Sequence, residues 1–216
     1  MQLYLDSASI DEIRAAARFG VIAGVTTNPS LLAKEGGVSY RDRIREIAAV
    51  IDGPISAECV SRNADDLVCE ARELASWHPN VVVKIPIDEA GLEAIHRCSK
   101  EGIKINTTLI FSPNQALLAA LAGAAYLSPF VGRIDDISGD GMELITQCVQ
   151  IVETHGLAAR VLAASLRHPL HVVQAALAGA HIATIPPSLI GQMLKHPLTD
   201  IGIQRFLDDA KKAGLV

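Results

Sequence analysis

Three ionisable residues stand where ionisable residues are expensive. Lys84 interrupts the apolar run NVVVKIPID (80–88), Asp6 closes LYLD, and Glu58 follows ISA. A buried ammonium without a partner is so costly that it tends to give up its proton instead. Two readings follow. A lysine near a strand end can snorkel to water or meet a carboxylate, and Asp6 and Glu58 would then be its ion-pair partners. Alternatively, a desolvated amine is neutral often enough to attack a carbonyl carbon. The resulting Schiff base is an electron sink for breaking a carbon–carbon bond. Carboxylates beside it would carry protons on and off the reacting hydroxyls. Both readings put the same three charges in one place, so residue types alone leave both open.

Such a cluster needs elements that converge. Short apolar runs alternate with amphipathic segments about eight times along the chain, with no linker, low-complexity tract or charge block between them. The runs predict strands at Leu3–Asp6, Gly24–Thr27, Ile55–Cys59, Val81–Ile85, Lys104–Leu109, Tyr126–Val131, Arg160–Ala164 and Ile182–Ile185. Several are rich in β-branched residues and poor in charge, as parallel strands covered on both faces should be. Between them, apolar residues recur at helical spacing, for example Ile44, Ile47, Ala48 and Ile51. Ser9-Ile-Asp-Glu12 and Ser112-Pro-Asn-Gln115 both fit a capping box at a helix start. Gly36-Gly37, Gly53-Pro54 and Gly156 mark ends or turns.

Eight β-then-α units in one undivided chain predict a single-domain (β/α)8 barrel over residues 1–216, with 198–216 as a C-terminal helical extension. A doubly wound open sheet would place a glycine-rich phosphate loop after its first strand. Here Asp6-Ser-Ala-Ser9 follows instead. In such a barrel the C-terminal strand ends face the active site. Those ends carry Asp6, Thr26, Asn28, Glu58, Lys84, Asn106, Thr108 and Arg133, with Ser165 and Arg167 in the loop after the seventh strand. Asn28 before Pro29 could be a plain turn former, and Arg167 a solvated loop cation. Their convergence on one mouth is harder to explain without a ligand, because a buried polar network is costly unless satisfied.

Composition removes other classes. The 216 residues carry a net charge of −5, so nucleic acid and acidic membranes are not expected partners. The charge-free stretch 105–132 is interrupted by Asn106, Thr107, Thr108, Ser112, Pro113, Asn114 and Gln115, and its apolar run Ala116–Leu127 suits a buried helix. Cys59, Cys69, Cys98 and Cys148 contain no C-x-x-C pair, and His168 and His171 have no third ligand nearby, so no metal is expected. The two histidines read as helix-start and surface residues. The opening MQLYLDSAS lacks a basic n-region, and a cytoplasmic location with reduced thiols is the expectation.

The stretches LYLDSA (3–8), GVTTNPSLL (24–32), VVVKIP (81–86), INTTLIFS (105–112) and SPFVGRIDD (128–136) resemble the transaldolase family. They are most similar to its short subfamily, which also includes the fructose-6-phosphate aldolases, and they span nearly the whole chain in order. The resemblance implies sugar-phosphate substrates and chemistry by side chains alone, without a cofactor. Lys84 would be the Schiff-base lysine and Asp6 the acid/base at the sugar C4 hydroxyl. Glu58 with Thr108 would hold the water that shuttles protons during imine formation and hydrolysis. Asn28 and Asn106 would bind the retained dihydroxyacetone unit, and Thr26 would support Asp6 or Lys84. Arg133 and Ser165 fall on the family's phosphate positions, with Arg167 as a third candidate.

Two positions separate the subfamily's activities. The resemblance associates Glu at the end of strand 3 and Phe near the end of strand 6 with transaldolases, and Gln and Tyr with the aldolases. Here they are Glu58 and Phe130. Phenylalanine has no proton to give an enamine, which would then wait for an acceptor aldehyde. Three alternatives stay open: an aldolase releasing free dihydroxyacetone, a lysine barrel aldolase for an unphosphorylated or deoxy sugar, and a barrel that only binds sugar phosphate. The resemblance also implies a homo-oligomer, with the C-terminal helix packed on a neighbouring subunit in pentameric rings that pair into decamers. Mean hydropathy of +0.29 is compatible with subunit contacts.

Overall fold

A computed structural model describes residues 1–216, and in it eight parallel strands close on themselves in sequence order. They are β1 (Gln2–Asp6), β2 (Ile22–Thr26), β3 (Ile55–Glu58), β4 (Val81–Pro86), β5 (Ile105–Ile110), β6 (Tyr126–Pro129), β7 (Arg160–Ala163) and β8 (Ile182–Ile185). Pairing of β8 with β1 completes the ring. The helices are α1 (Ile10–Ala17), α2 (Pro29–Leu32), α3 (Tyr40–Ala48), α4 (Ala64–Ser76), α5 (Glu89–Lys100), α6 (Pro113–Ala122), α7 (Val131–Asp135), α8 (Gly141–Thr154), α9 (Pro169–Leu177), α10 (Pro187–Leu194) and α11 (Pro197–Lys212). The predicted (β/α)8 barrel is therefore the fold. No helix is long and apolar enough to cross a membrane.

Period-two alternation gives each strand two jobs. Outward residues such as Leu5, Val25, Ile55, Val83, Ile85, Ile105, Leu127 and Val161 join the helices in the larger core. Inward residues Tyr4, Val82, Tyr126, Leu162 and Ile182 fill the barrel's floor as a second, separate cluster. Two residues further along the same strands, the inward positions turn polar: Asp6 above Tyr4, Lys84 above Val82, Ser128 above Tyr126, Thr184 above Ile182. The apolar floor closes the barrel, and the polar storey lies at the C-terminal end.

Gly24 shows how tightly that floor is filled. A Cβ there would lie 2.7 Å from Tyr4 Cζ and 2.7 Å from the Pro54 carbonyl oxygen. Gly24→Ala is expected to destabilise the fold by about 1–3 kcal/mol, the range for forcing atoms into a packed interior. Urea unfolding of the two proteins measures it directly.

Helix starts follow the sequence with one correction. Ser112 and Gln115 make the expected reciprocal capping box on α6. Ser9 precedes α1 but makes no side-chain cap. Ser7 intervenes instead: its hydroxyl donates to Glu12 Oε2 at 2.7 Å and accepts the Ser9 N–H at 3.1 Å. Strand β6 also stops at Pro129, short of the predicted Val131, because Phe130 and Val131 turn into α7. The C-terminal helix α11 buries none of its residues.

Candidate active site

Strand register assembles the polar storey. Glu58 stands opposite Lys84, and Lys84 opposite Asn106, on adjacent strands. Lys84 Nζ lies 2.9 Å from Glu58 Oε2, with the two side chains 8% and 16% exposed. Glu58 is thus the carboxylate that meets the buried amine, and it is also the nearest acceptor for a proton leaving that amine.

Asp6 occupies the other side. Thr26 Oγ1 donates to Asp6 Oδ1 at 2.7 Å. That uses the Thr26 proton, so the 2.6 Å contact between Thr26 and Thr184 hydroxyls is donated by Thr184. Burial pushes the Asp6 carboxyl above its usual 3.8, outweighing the opposing pulls of the Thr26 hydrogen bond and the Lys84 charge. A carboxyl so placed holds a proton more firmly than a surface aspartate, which suits a base.

Two adjoining cavities meet at Lys84. One, about 150 Å³, is lined by Asp6, Thr26, Asn28, Lys84, Ser128, Phe130, Arg133, Ser165 and Thr184, among others. The second, about 280 Å³, is lined by Asn28, Glu58, Lys84, Thr108, Leu109, Phe130 and Arg133, among others. Every residue singled out from sequence lines at least one of them, except Asn106 and Arg167. Thr108 is fully buried and its Oγ1 has no hydrogen-bond partner, so one hydroxyl beside Glu58 and Lys84 is uncommitted. Asn28 caps α2, accepting the Leu31 N–H at 2.8 Å, which leaves its amide N–H groups for the cavity. The turn-forming and ligand-facing readings of Asn28 are therefore compatible.

Asn106 sits one step behind the wall. Its amide donates to Ser56 Oγ at 3.0 Å and accepts from Ser128 Oγ at 2.6 Å. Ser128, which sequence reasoning passed over, presents its hydroxyl to the cavity, and Asn106 orients it. Arg167 is spent elsewhere, its guanidinium forked onto the Asp136 carboxylate at 2.5 and 2.7 Å. Reaching a ligand would require releasing that partner. Arg133 has no carboxylate partner and lies 5.8 Å from the Phe130 ring centroid, which makes it the available cation at the mouth. Ser165 reaches the cavity with a backbone φ of +59°, a left-handed conformation rare for a residue with a Cβ.

A further feature ties the Arg133 segment down. His171 Nε2 lies 3.1 Å from Asp135 Oδ2, and His171 Nδ1 accepts the Arg167 N–H at 3.3 Å. A neutral imidazole with its proton on Nε2 satisfies both, and burial, helped by His168, pushes the His171 pKa down. The reading of both histidines as surface groups needs correcting. His168 is exposed and caps α9, but His171 is 7% exposed and latches α7 to the β7–α9 loop. No group of three or more His, Cys, Asp or Glu side chains converges as a metal site.

The family model described as Transaldolase/Fructose-6-phosphate aldolase matches residues 3–215 of the chain. The chain belongs to this family. Among curated proteins it is 60% identical over 209 residues to a protein described as a probable transaldolase from Heliobacterium modesticaldum, covering 97% of each chain. It is 58% identical to one so described from Roseiflexus castenholzii, covering 98% of this chain and 97% of that one. A third, from Moorella thermoacetica, is 57% identical over 98% of each chain. Membership of the transaldolase/fructose-6-phosphate aldolase family accords with an amine set between two carboxylates at a barrel mouth. What sequence reasoning missed in this family member is Ser128, Thr184 and His171. The small hydroxyls gave no motif signal, although period-two counting from Tyr126 and Ile182 points them inward.

Proposed function

We propose that this chain is a transaldolase, moving a dihydroxyacetone unit from a ketose phosphate, fructose 6-phosphate or sedoheptulose 7-phosphate, to an aldose phosphate. The observation that carries the reading is the placement of Lys84, with Glu58 in one adjoining cavity and Asp6 in the other. That division supports two separate proton paths to one nitrogen nucleophile.

Lys84, its proton passed to Glu58, attacks the C2 carbonyl of the donor. Glu58 and Thr108 hold the water through which the carbinolamine oxygen is protonated and leaves as water, giving the iminium. Asp6 takes the C4 hydroxyl proton, the C3–C4 bond breaks, and its electron pair flows into the iminium to form an enamine. The aldose phosphate leaves. The enamine then attacks the acceptor aldehyde, Asp6 returns the proton to the new alkoxide, and water hydrolyses the iminium. Thr26 and Thr184 keep Asp6 oriented through fixed hydrogen-bond directions. Asn28 and Ser128, the latter held by Asn106, bind the three-carbon hydroxyls. Arg133 and Ser165 bind the phosphate, with Arg167 held in reserve by Asp136. The reaction fits the non-oxidative interconversion of pentose phosphates. The four free cysteines suit a reducing, cytoplasmic compartment.

Fructose-6-phosphate aldolase activity, which would release free dihydroxyacetone, is the competing outcome within the family. Phe130 lines both cavities and offers no hydroxyl to protonate the enamine, which favours transfer. The test is glyceraldehyde 3-phosphate release from fructose 6-phosphate, with and without erythrose 4-phosphate. Release is expected to depend on the acceptor, with sedoheptulose 7-phosphate formed in step. Equal release without acceptor would identify an aldolase, and release in neither case would overturn the substrate assignment.

Assembly is part of the same proposal. On α11, Leu198, Ile201, Ile203 and Phe206 are all more than half exposed, Phe206 at 73%. Large apolar side chains exposed to that extent around one helix are what an interface between copies would cover. Sedimentation of the full chain is expected to give a five- or ten-subunit species, and Ile201→Asp with Phe206→Asp to shift it toward monomer. A monomeric parent would refute this.

A further inference from the structure

Tyr40 lies outside the cavities just described, yet its hydroxyl reaches the backbone of a residue that lines one of them. Strand β2 ends at Thr26, where the chain turns away into the Asn28 cap of α2. The ladder between β2 and β3 continues only as far as Thr27, whose N–H donates to the Ser56 carbonyl at 3.0 Å. The next N–H on β3 directed toward β2, that of Glu58, therefore has no strand carbonyl to meet. Tyr40 supplies the substitute: its hydroxyl accepts the Glu58 N–H at 2.9 Å. The same hydroxyl lies 2.8 Å from Thr27 Oγ1, and Thr27 Oγ1 donates to the Ser56 carbonyl at 2.7 Å.

The two ends of this chain of bonds fix its direction. An amide N–H only donates and a carbonyl only accepts, so the protons must run from Glu58 N–H to Tyr40, from Tyr40 to Thr27, and from Thr27 to Ser56. Each hydroxyl is used once as donor and once as acceptor, with no alternative arrangement. Burial pushes the Tyr40 hydroxyl up to about 12, so its proton stays in place at working pH. The Tyr40 ring is itself braced edge-on against Trp77, with centroids 5.5 Å apart.

We propose that Tyr40 is a positioning residue, which holds the backbone of Glu58 so that its carboxylate stays within hydrogen-bond reach of Lys84. The proposal rests on the reading of Glu58 as the proton carrier of imine formation. Without the Tyr40 hydroxyl, the last residue of β3 loses the partner of its N–H and its tether to α3. The carboxylate would then drift relative to Lys84, and misplacements of about 1 Å in such a site cost on the order of 100-fold in rate.

The test compares the parent, Tyr40→Phe, Glu58→Gln and the double variant in the full chain. Readouts are kcat and KM for fructose 6-phosphate with erythrose 4-phosphate, the rate of borohydride-trapped imine formation, and thermal melting. Tyr40→Phe is expected to lower kcat and the trapping rate by about 10- to 100-fold with KM changed less than about twofold. In the Glu58→Gln background the same substitution is expected to cost less than about twofold more, since the residue it positions is already disabled. Thr27→Val, which breaks the same chain of bonds while keeping the shape, should repeat the loss, and Thr27→Ser should restore the parent rate. Should Tyr40→Phe not fold, the Thr27 pair carries the test alone. An unchanged trapping rate in Tyr40→Phe, or an equal loss in both backgrounds, overturns the proposal for Tyr40 and leaves Glu58 standing. An unchanged trapping rate in Glu58→Gln overturns the role of Glu58 itself.

Discussion

Lys84→Met is expected to abolish transfer, with kcat reduced on the order of 10⁴-fold or more, because no other group at the mouth can form the imine. Borohydride in the presence of fructose 6-phosphate should add one reduced three-carbon unit to the parent and none to the variant, by intact mass. Stability gives a second, separable signal. The substitution leaves Glu58, 16% exposed, without its ammonium. Breaking a buried pair by removing one partner costs about 3–5 kcal/mol, and the partial solvent exposure of Glu58 should reduce that to about 1–3. Adding Glu58→Gln should recover most of the loss in melting temperature without any recovery of transfer. That pattern separates the two readings of the lysine. A lysine that served only as an ion-pair partner would show the stability pattern, but the parent would form no borohydride adduct. An adduct on Lys84→Met would sink the assignment.

Asp6→Asn is expected to lower kcat by about 10²- to 10⁴-fold, the range for losing a general acid/base, and yet to make the protein more stable at neutral pH. The sign follows from burial. The folded protein raises the Asp6 pKa above 3.8, so the folded state holds that proton more tightly than the unfolded state. The contribution of Asp6 to stability is fully present below about 3.8 and is lost as pH rises through the raised folded value. At neutral pH the parent therefore carries a carboxyl whose ionised form its surroundings disfavour, and asparagine removes that cost while still accepting from Thr26. Melting temperatures measured from pH 3.5 to 8 should show the variant ahead at the alkaline end and the gap closing toward pH 3.8. The parent's acid limb in kcat/KM should lie above the ordinary aspartate range. A variant less stable at pH 7 would mean that the pull of Lys84 outweighs burial, and a base poised by desolvation would no longer explain the step.

Stability bought back by removing a catalytic group is a common feature of active sites, where ionisable side chains are held in surroundings that do not favour them. Here the cost is concentrated in the storey above the apolar floor. Thr26, Thr184, Ser56, Asn106 and Ser128 satisfy one another in pairs across strands, so the network leaves few loose ends. The uncommitted exceptions at the mouth, Thr108 and Arg133, lie where a ligand would have to be met.

The strands were legible in sequence to within a few residues, because a run such as VVVKIP carries its own period and its flanking residues mark where it stops. The same counting placed Asp6, Glu58 and Lys84 at strand ends, and the number of β-then-α units implied closure. Partner choice was not legible in that way. Thr26 and Thr184 meet across the seam that joins β1, β2 and β8, a contact between residues 158 apart that exists only because the barrel closes with its particular register. Arg167 read as either a phosphate ligand or a solvated loop cation, and the fold brought Asp136 within reach of its fork. His171, polar at the start of a helix, went inside because Asp135 and the Arg167 N–H were there to satisfy it. Nothing in the sequence marked Tyr40, and only the divergence of β2 from β3 turned its hydroxyl into a ladder partner for Glu58. Periodicity and caps are interactions between near neighbours in the chain, so the amino-acid order determines them locally. Hydrogen bonds and ion pairs across the barrel depend on distances of a few ångströms between distant segments, and only tertiary packing decides those.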